Sequence, residues 1–225
     1  MQMTSPQPGI LARGPWPVDA VRASWRDEHY VAPAATTAAA DAAIQRLQDR
    51  GSPSHDGLAA RLVGHEVAGD GTLHLDLQPV RWALRLVEDD ASQSLAALCV
   101  IRDADGRWLA GRRAPWLSTW AGRWALGAGG AVDLGESPAD TLTRELAEEW
   151  ALTAERVQGE ALVLLPHLMV MFIGQAWVPA GSQVTMDHEH DAHAWWPPDP
   201  ADWPAEADGP LRRTAALLAS SPPVP

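Results

Sequence analysis

Residues 129–152 read GGAVDLGESPADTLTRELAEEWAL, and this stretch decides the fold. It sets Glu136, Glu145, Glu148, Glu149 and Arg144 on or just before one predicted helix, behind a pair of glycines. Glu145, Glu148 and Glu149 are spaced i, i+3, i+4 and therefore share a helical face, where like charges repel. A divalent cation relieves such crowding, and oxygen-only ligands favour Mg²⁺ or Mn²⁺ over zinc. The plain alternative is a solvated acidic face; Arg144 and the preceding glycines argue against it.

The helix is well delimited. Ser137 is a natural N-cap, and Pro138 suits the first helical position, where a missing N–H costs nothing. Asp140 stands three residues after Ser137, giving an approximate capping box and an acid at the positive end of the dipole. Leu142 and Leu146 pack inward with Ala139 and Trp150, so the acidic face turns towards a cleft.

These residues resemble the Nudix hydrolase signature: Gly, five residues, Glu, seven residues, Arg-Glu-aliphatic, one residue, Glu-Glu, one residue, Gly-aliphatic. Gly130 is followed after five residues by Glu136, and seven more lead to Arg144-Glu145-Leu146, Ala147, Glu148-Glu149, Trp150, Ala151 and Leu152. Each signature position is met except the last glycine, which is Ala151. That glycine follows the helix, where a left-handed exit penalises a Cβ, so alanine there costs about 1 kcal/mol or the chain leaves differently. No ligand is lost. Ala128 is a milder departure, since many relatives have proline before the two glycines.

The resemblance implies roles. Glu145, Glu148 and Glu149 would hold metal, with the Gly130 carbonyl contributing. Glu145 would be a further ligand or the general base, as relatives differ. Arg144 would orient the carboxylates by ion pairing, and Glu136 would support the loop-to-helix turn or the metal shell. An additional acidic ligand or base often comes from a loop near the end of such domains; Glu189 is the preferred candidate, with Asp187 behind it. The fold implied is an α/β/α sandwich with a mixed sheet.

The flanks agree with this. Residues 95–102 (LAALCVIR) form an apolar run of strand length, and Asp105-Gly106 signals a hairpin turn to a strand over Arg107–Arg113. Arg112, Arg113 and Arg123 are candidate phosphate contacts, because guanidinium forks match phosphate oxygens; plain surface roles are the alternative. Trp116, Trp120 and Trp124 flank the approach to the glycines and are candidate stacking platforms, core packing being the alternative. Residues 161–178 read as two short strands or one strand after a bend, interrupted by Pro166 and Gly174. His167 reads as a core or edge histidine, a substrate contact being the alternative. Residues 187–193 (DHEHDAH) match no closed zinc motif and read as a polar loop before a strand at Ala194-Trp195-Trp196, one tryptophan pointing in and the other out. Leu211–Ala219 gives a closing helix.

Before the Nudix-like region, residues 1–33 are proline-rich and read as irregular and extended. Ala34–Arg50 reads as a helix stopped by Gly51, with Ile44 and Leu47 on one side. Leu58–Val67 and Thr72–Leu77 read as a hairpin. The organisation expected is an N-terminal helix-and-hairpin wing over residues 1–90 and a Nudix domain over 91–225, the wing lying beside the active site or forming a dimer surface.

The whole chain has 225 residues, 46% of them hydrophobic, and a net charge of −12. That balance argues against a duplex nucleic-acid binder, which needs a basic footprint. No long apolar span or basic-then-apolar leader suggests a membrane or secretion, so a cytoplasmic protein is expected. The single Cys99 lies in an apolar run and reads as a small core residue. Twelve tryptophans permit an apolar homodimer interface without demonstrating one.

The resemblance thus implies a Mg²⁺-dependent (or Mn²⁺-dependent) pyrophosphohydrolase. Its small-molecule substrate would be a nucleoside diphosphate linked to another moiety, such as ADP-ribose or a UDP-sugar, or a nucleoside triphosphate. Two alternatives stand beside it. One is a Nudix fold used as a non-catalytic nucleotide-binding or regulatory module. The other is an isopentenyl-diphosphate-isomerase-like enzyme, which needs a cysteine placed for proton transfer.

Overall fold

The computed structural model describes residues 7–117 and 119–219. Its strands are β1 (Gly9–Pro17), β2 (Val21–Trp25), β3 (Leu58–Val67), β4 (Leu73–Arg81), β5 (Leu95–Asp103), β6 (Trp108–Arg113), β7 (Trp124–Leu126), β8 (Ala128–Ala131), β9 (Arg156–Leu164), β10 (Val170–Val178) and β11 (His190–Trp196). Its helices are α1 (Ala34–Asp49), α2 (Pro138–Trp150) and α3 (Gly209–Ala219).

The main sheet runs β1-β9-β10-β5-β6-β11, with β7 added to β6 and β8 to β5. It is mixed: β10 and β5 are parallel over Val170–Val178, while their neighbours run antiparallel. β5 alternates across the sheet, as a period of two requires. Leu95, Ala97, Cys99 and Ile101 face one core with Leu142, Leu146 and Trp150 of α2. Val100 faces the other with Leu211, Ala215 and Leu218 of α3. The helices therefore cover opposite faces, and the molecule is the expected α/β/α sandwich with a mixed sheet.

The hairpin expected before the domain is β3 and β4, and β2 joins it in parallel to make a small second sheet, β2-β4-β3. Leu73, Leu75 and Leu77 of β4 are 0–2% exposed and enter the same core as α2. α1 ends where Gly51 adopts φ +79°, and it packs Ala40, Ile44 and Leu47 against Val80, Ala83 and Leu84. Ala83 and Leu84 belong to a short 3-10 turn over Trp82–Leu86.

Three local expectations are corrected. Residues 9–25 are not irregular: β1 pairs with β9 at the edge of the main sheet, because Trp16 finds a buried stack on Phe172. Gly174 does not interrupt its strand; it sits inside β10 at a register shift, where an added Cβ would overlap Leu142. Pro166 is the break, lying between β9 and β10. The last strand starts at His190 rather than Ala194, pairing His190 with Arg113. Trp196 is buried in one core and Trp195 packs partly buried against the other.

Candidate active site

The box helix begins as its sequence dictates. Ser137 accepts from the Asp140 N–H, and the Asp140 carboxylate accepts from the Ser137 N–H at 2.9 Å, a reciprocal capping box. The helix ends at Ala151 in a left-handed conformation, φ 52° and ψ 35°, so the alanine keeps the exit that a glycine would take without strain.

Between these ends, Arg144 organises the carboxylates. Its Nε donates to Glu136 Oε1 at 2.9 Å, Nη1 to Glu145 Oε1 at 2.7 Å and to Glu148 Oε2 at 3.0 Å, and Nη2 to the Ala131 carbonyl at 3.1 Å. Glu136 also accepts from Thr141 Oγ1 at 2.8 Å. Burial raises its affinity for protons, but the hydrogen bonds from Arg144 and Thr141 outweigh that and hold it below the ordinary carboxyl range. Burial works against the charge on Arg144 too, and Glu136 and Glu145 more than reverse it.

Glu145 and Glu149 lie on the inner side of the helix, 8% and 4% exposed. Glu149 Oε1 accepts from the Gly129 N–H at 3.1 Å, whereas its buried Oε2 has no hydrogen-bond partner among the described residues. Burial pushes the Glu149 carboxyl well above its ordinary range; the Gly129 bond opposes this, and the nearby Glu145 and Glu189 charges add to it. Glu145 is raised as well, by burial first, with Arg144 resisting. Gly130 lets the Glu145 carboxylate approach closely: an added Cβ would overlap it and push it aside.

Glu189 arrives from the loop before β11. It is raised by burial, and its Oε2 lies 3.8 Å from Arg113 Nη2. Its N–H donates to Asp187 Oδ1 at 3.0 Å, which fixes the loop. His190, the next residue, packs against Trp150 with ring centroids 4.3 Å apart and the rings tilted by 37°, and its Nε2 lies 3.8 Å from Glu149 Oε2. Burial lowers the affinity of His190 for a proton, despite the Asp187 carboxylate beside it.

Gly129, Gly130, Arg144, Glu145, Glu148, Glu149 and Glu189 all line one cavity of about 870 Å³. The four expected substrate contacts divide. Arg113 lines this cavity, 17% exposed at the side chain. Arg112 pairs with Asp191 at 2.6 Å on the surface, and Arg123 pairs with Asp208 and covers the Trp120 ring. Trp124 packs against Trp196 with centroids 5.6 Å apart. Neither these two arginines nor Trp124 lines the cavity, whereas Trp120 does. Cys99 is fully buried, and burial pushes its thiol up, so it offers no proton to the cleft.

Sequence reasoning missed part of this lining. Beside His167, whose alternative reading was a substrate contact, Ser54, His55, Trp82, Arg85 and Leu86 from the N-terminal region contribute to the same cavity. No motif marks them, because they reach the site through the packing of β3 and β4 rather than through local spacing. The contacts are direct. Trp25 Nε1 donates to the Glu136 carbonyl at 3.0 Å, and the Ala60 N–H donates to the Val132 carbonyl at 2.8 Å.

The donor chemistry suits a hard divalent cation: the groups are carboxylates, one with a buried oxygen free of hydrogen bonds among the described residues, and the nearby Cys99 thiol is held in its protonated form by burial. Among the described residues no three such groups yet converge as a ligand set. Glu148 is turned to Arg144, with 60% of its side chain exposed.

Comparison with known proteins gives the family. The NUDIX domain model matches residues 93–218, more than half of the chain. Similar solved structures include a MutT protein from Methanosarcina mazei Go1, at 22% identity over 57% of this chain and 96% of that one, with a TM-score of 0.44. The NUDIX domain of Shewanella oneidensis NrtR, complexed with ADP ribose, is 21% identical over 57% of this chain and 89% of that one, with a TM-score of 0.45. A C. elegans Ap4A hydrolase is 23% identical over 57% of this chain and 99% of that one, with a TM-score of 0.41. No curated protein matches. By its domain match and its box, this chain belongs to the Nudix hydrolase family.

Proposed function

We propose that this protein is a Mg²⁺-dependent pyrophosphohydrolase that cleaves the diphosphate linkage of a nucleoside diphosphate joined to another moiety. The observation that carries the reading is Glu149: a carboxylate 4% exposed, with one oxygen on the Gly129 N–H and the other bare, faces a cavity already rich in carboxylates. Leaving such a group buried without a partner costs about 1–3 kcal/mol or more, so a site kept this way has a use for the free oxygen.

Glu145, Glu148, Glu149, Glu189 and the Gly130 carbonyl would hold the metal. A bound divalent cation would neutralise the diphosphate and acidify a water molecule. The residues of the chain supply the rest. Arg144 holds Glu136, Glu145 and Glu148 in one network, so the acidic face is positioned before any substrate arrives. Glu145 and Glu189, both with a raised affinity for protons, are suited to accept the proton of the attacking water. Arg113 offers its guanidinium to a phosphate oxygen in the same cavity. Leu98, Leu165, Met169 and Met171 give the cavity an apolar portion for the part of the substrate that is not phosphate.

On this reading residues 91–225 form the Nudix domain and 1–90 an extension built onto it. No described helix is long and apolar enough to cross a membrane. The non-catalytic alternative would predict lost carboxylates, and none is lost.

The test is phosphate or nucleotide release from a panel of nucleotide sugars, dinucleoside polyphosphates and nucleoside triphosphates, with Mg²⁺ and with chelator. Turnover that requires Mg²⁺ and disappears in Glu149→Gln is the expected result. Turnover unaffected by chelator, or retained in the folded variant, would overturn the reading.

A further inference from the structure

Arg85 is the cavity's unexplained charge. It sits in the 3-10 turn Trp82–Leu86, is partly buried, and lines the cavity that holds the box carboxylates. Its side chain lines the cavity wall, and the charges of Glu145, Glu189 and Arg113 all act on it. Yet among the described residues it forms no hydrogen bond or ion pair; its one recorded contact is the face of Trp82, 5.4 Å from the ring centroid. Other partly buried arginines are engaged. Arg61 donates to the Ser92 carbonyl and Gln78, Arg81 to Asp41 and Asp56, and Arg144 to the network above. A guanidinium on a cavity wall with no protein acceptor has its N–H donors free for an anion that enters the cavity.

Its backbone is firmly held. The Ala83 N–H donates to Asp56 Oδ1 at 2.9 Å, and the Trp82 N–H donates to the Gly57 carbonyl at 2.8 Å. Ala83 and Leu84, the two residues before it, are 0–1% exposed and packed against α1. The turn therefore presents Arg85 to the cavity from a rigid base, with little entropy left to lose on binding.

We infer that Arg85 binds a phosphate group of the substrate, so that the N-terminal region completes the substrate site that the box begins. The inference rests on the diphosphate reading above. Within it, Arg85 and Arg113 would grip the diphosphate from two separate elements, while Trp82 backs the Arg85 guanidinium. Arg85 is a binding residue in this scheme and takes no part in moving the proton.

The experiment compares wild type, Arg85→Gln and Arg85→Lys in the full chain, with circular dichroism confirming that each is folded. Binding of α,β-methylene-ADP, a diphosphate that cannot be hydrolysed at that linkage, is measured by calorimetry with Mg²⁺ present. Loss of one charge-assisted contact predicts affinity weaker by about tenfold or more in Arg85→Gln, with partial recovery in Arg85→Lys. On whichever substrate of the panel is turned over, KM rises by a similar factor while kcat changes far less. Equal binding by wild type and Arg85→Gln, or no binding by wild type, overturns the inference. A panel on which wild type is inactive defeats the hydrolase reading separately, because the binding comparison does not depend on turnover.

Discussion

Glu149→Gln has a consequence for stability opposite in sign to its consequence for activity. The carboxyl is 4% exposed, burial and its neighbours raise it well above the ordinary 4.5, and Oε2 has no hydrogen-bond partner among the described residues. A group whose folded-state affinity for protons is raised contributes its stability below the ordinary carboxyl range. That contribution is lost as pH rises through the raised value. In the metal-free protein near neutrality, Glu149 is therefore a burden to the fold. Glutamine keeps an acceptor for the Gly129 N–H and removes the charge that Glu145 and Glu189 repel.

An unsatisfied buried polar group costs about 1–3 kcal/mol, more when charged, and the amide still leaves one group bare. A net gain of about 1 kcal/mol is expected, or about 2–4 °C in Tm for a chain of this size. Thermal unfolding in chelator at about pH 8 reads this gain directly, and the gain should shrink as pH falls towards 4.5, where the wild-type carboxyl carries its proton. Adding Mg²⁺ should reverse the order. Ligand at about a hundredfold excess over its Kd stabilises wild type by ~2.7 kcal/mol, and the variant should gain far less. A variant less stable than wild type in chelator at about pH 8 would refute the argument that the ionised Glu149 is unsatisfied. Equal stabilisation of both by Mg²⁺ would refute its role as a ligand.

Two further substitutions probe the frame around it. Ala151→Gly relaxes a left-handed residue at φ 52°, and should stabilise the protein by about 1 kcal/mol, a rise of about 2–4 °C in Tm with unchanged turnover. No rise would mean that the alanine exit is unstrained. Gly130→Ala drives a Cβ into the Glu145 carboxylate, an overpacking that costs about 1–3 kcal/mol. The folded variant should lose most Mg²⁺-dependent hydrolysis, read as kcat, and full activity would show that Glu145 need not stay against the strand.

The box was legible in the sequence because its constraints are local. Capping by Ser137 and Asp140, the i, i+3, i+4 acids and the left-handed exit at Ala151 all act within one helix and its ends. β3, β4, β5 and β6 were legible for the same reason: the alternation of Leu73, Leu75 and Leu77, the apolar run at 95–102 and the turn at Gly106 are all local signals. β1 was not, since its value lies in a partner far along the chain: Trp16 has nothing to bury against until Phe172 is beside it. Gly174 misled because a glycine in a strand reads as a break, whereas here it makes room for Leu142 of the box helix. The four expected substrate contacts came from positional closeness to the box. That criterion cannot tell Arg113, which faces the cavity, from Arg112, its neighbour on β6, which faces Asp191.

The same contrast locates where substrate choice is made. The chemistry needs several acids near enough to serve one cation, and a single helix supplies most of them in a fixed pattern. The rest of the cavity has no such pattern. Trp82 and Arg85 come from the turn after β4, Leu165 and His167 from the connection between β9 and β10, and Pro210 and Leu211 from the start of α3. Each is held by its own packing, as the turn carrying Arg85 is by the Ala83–Asp56 hydrogen bond and the small core of α1. A change in that packing can move a contact to the substrate without touching a box carboxylate. Selectivity among diphosphates should therefore follow substitutions at 54–55, 82–86 and 165–171, while loss of all turnover should follow substitutions in 129–149.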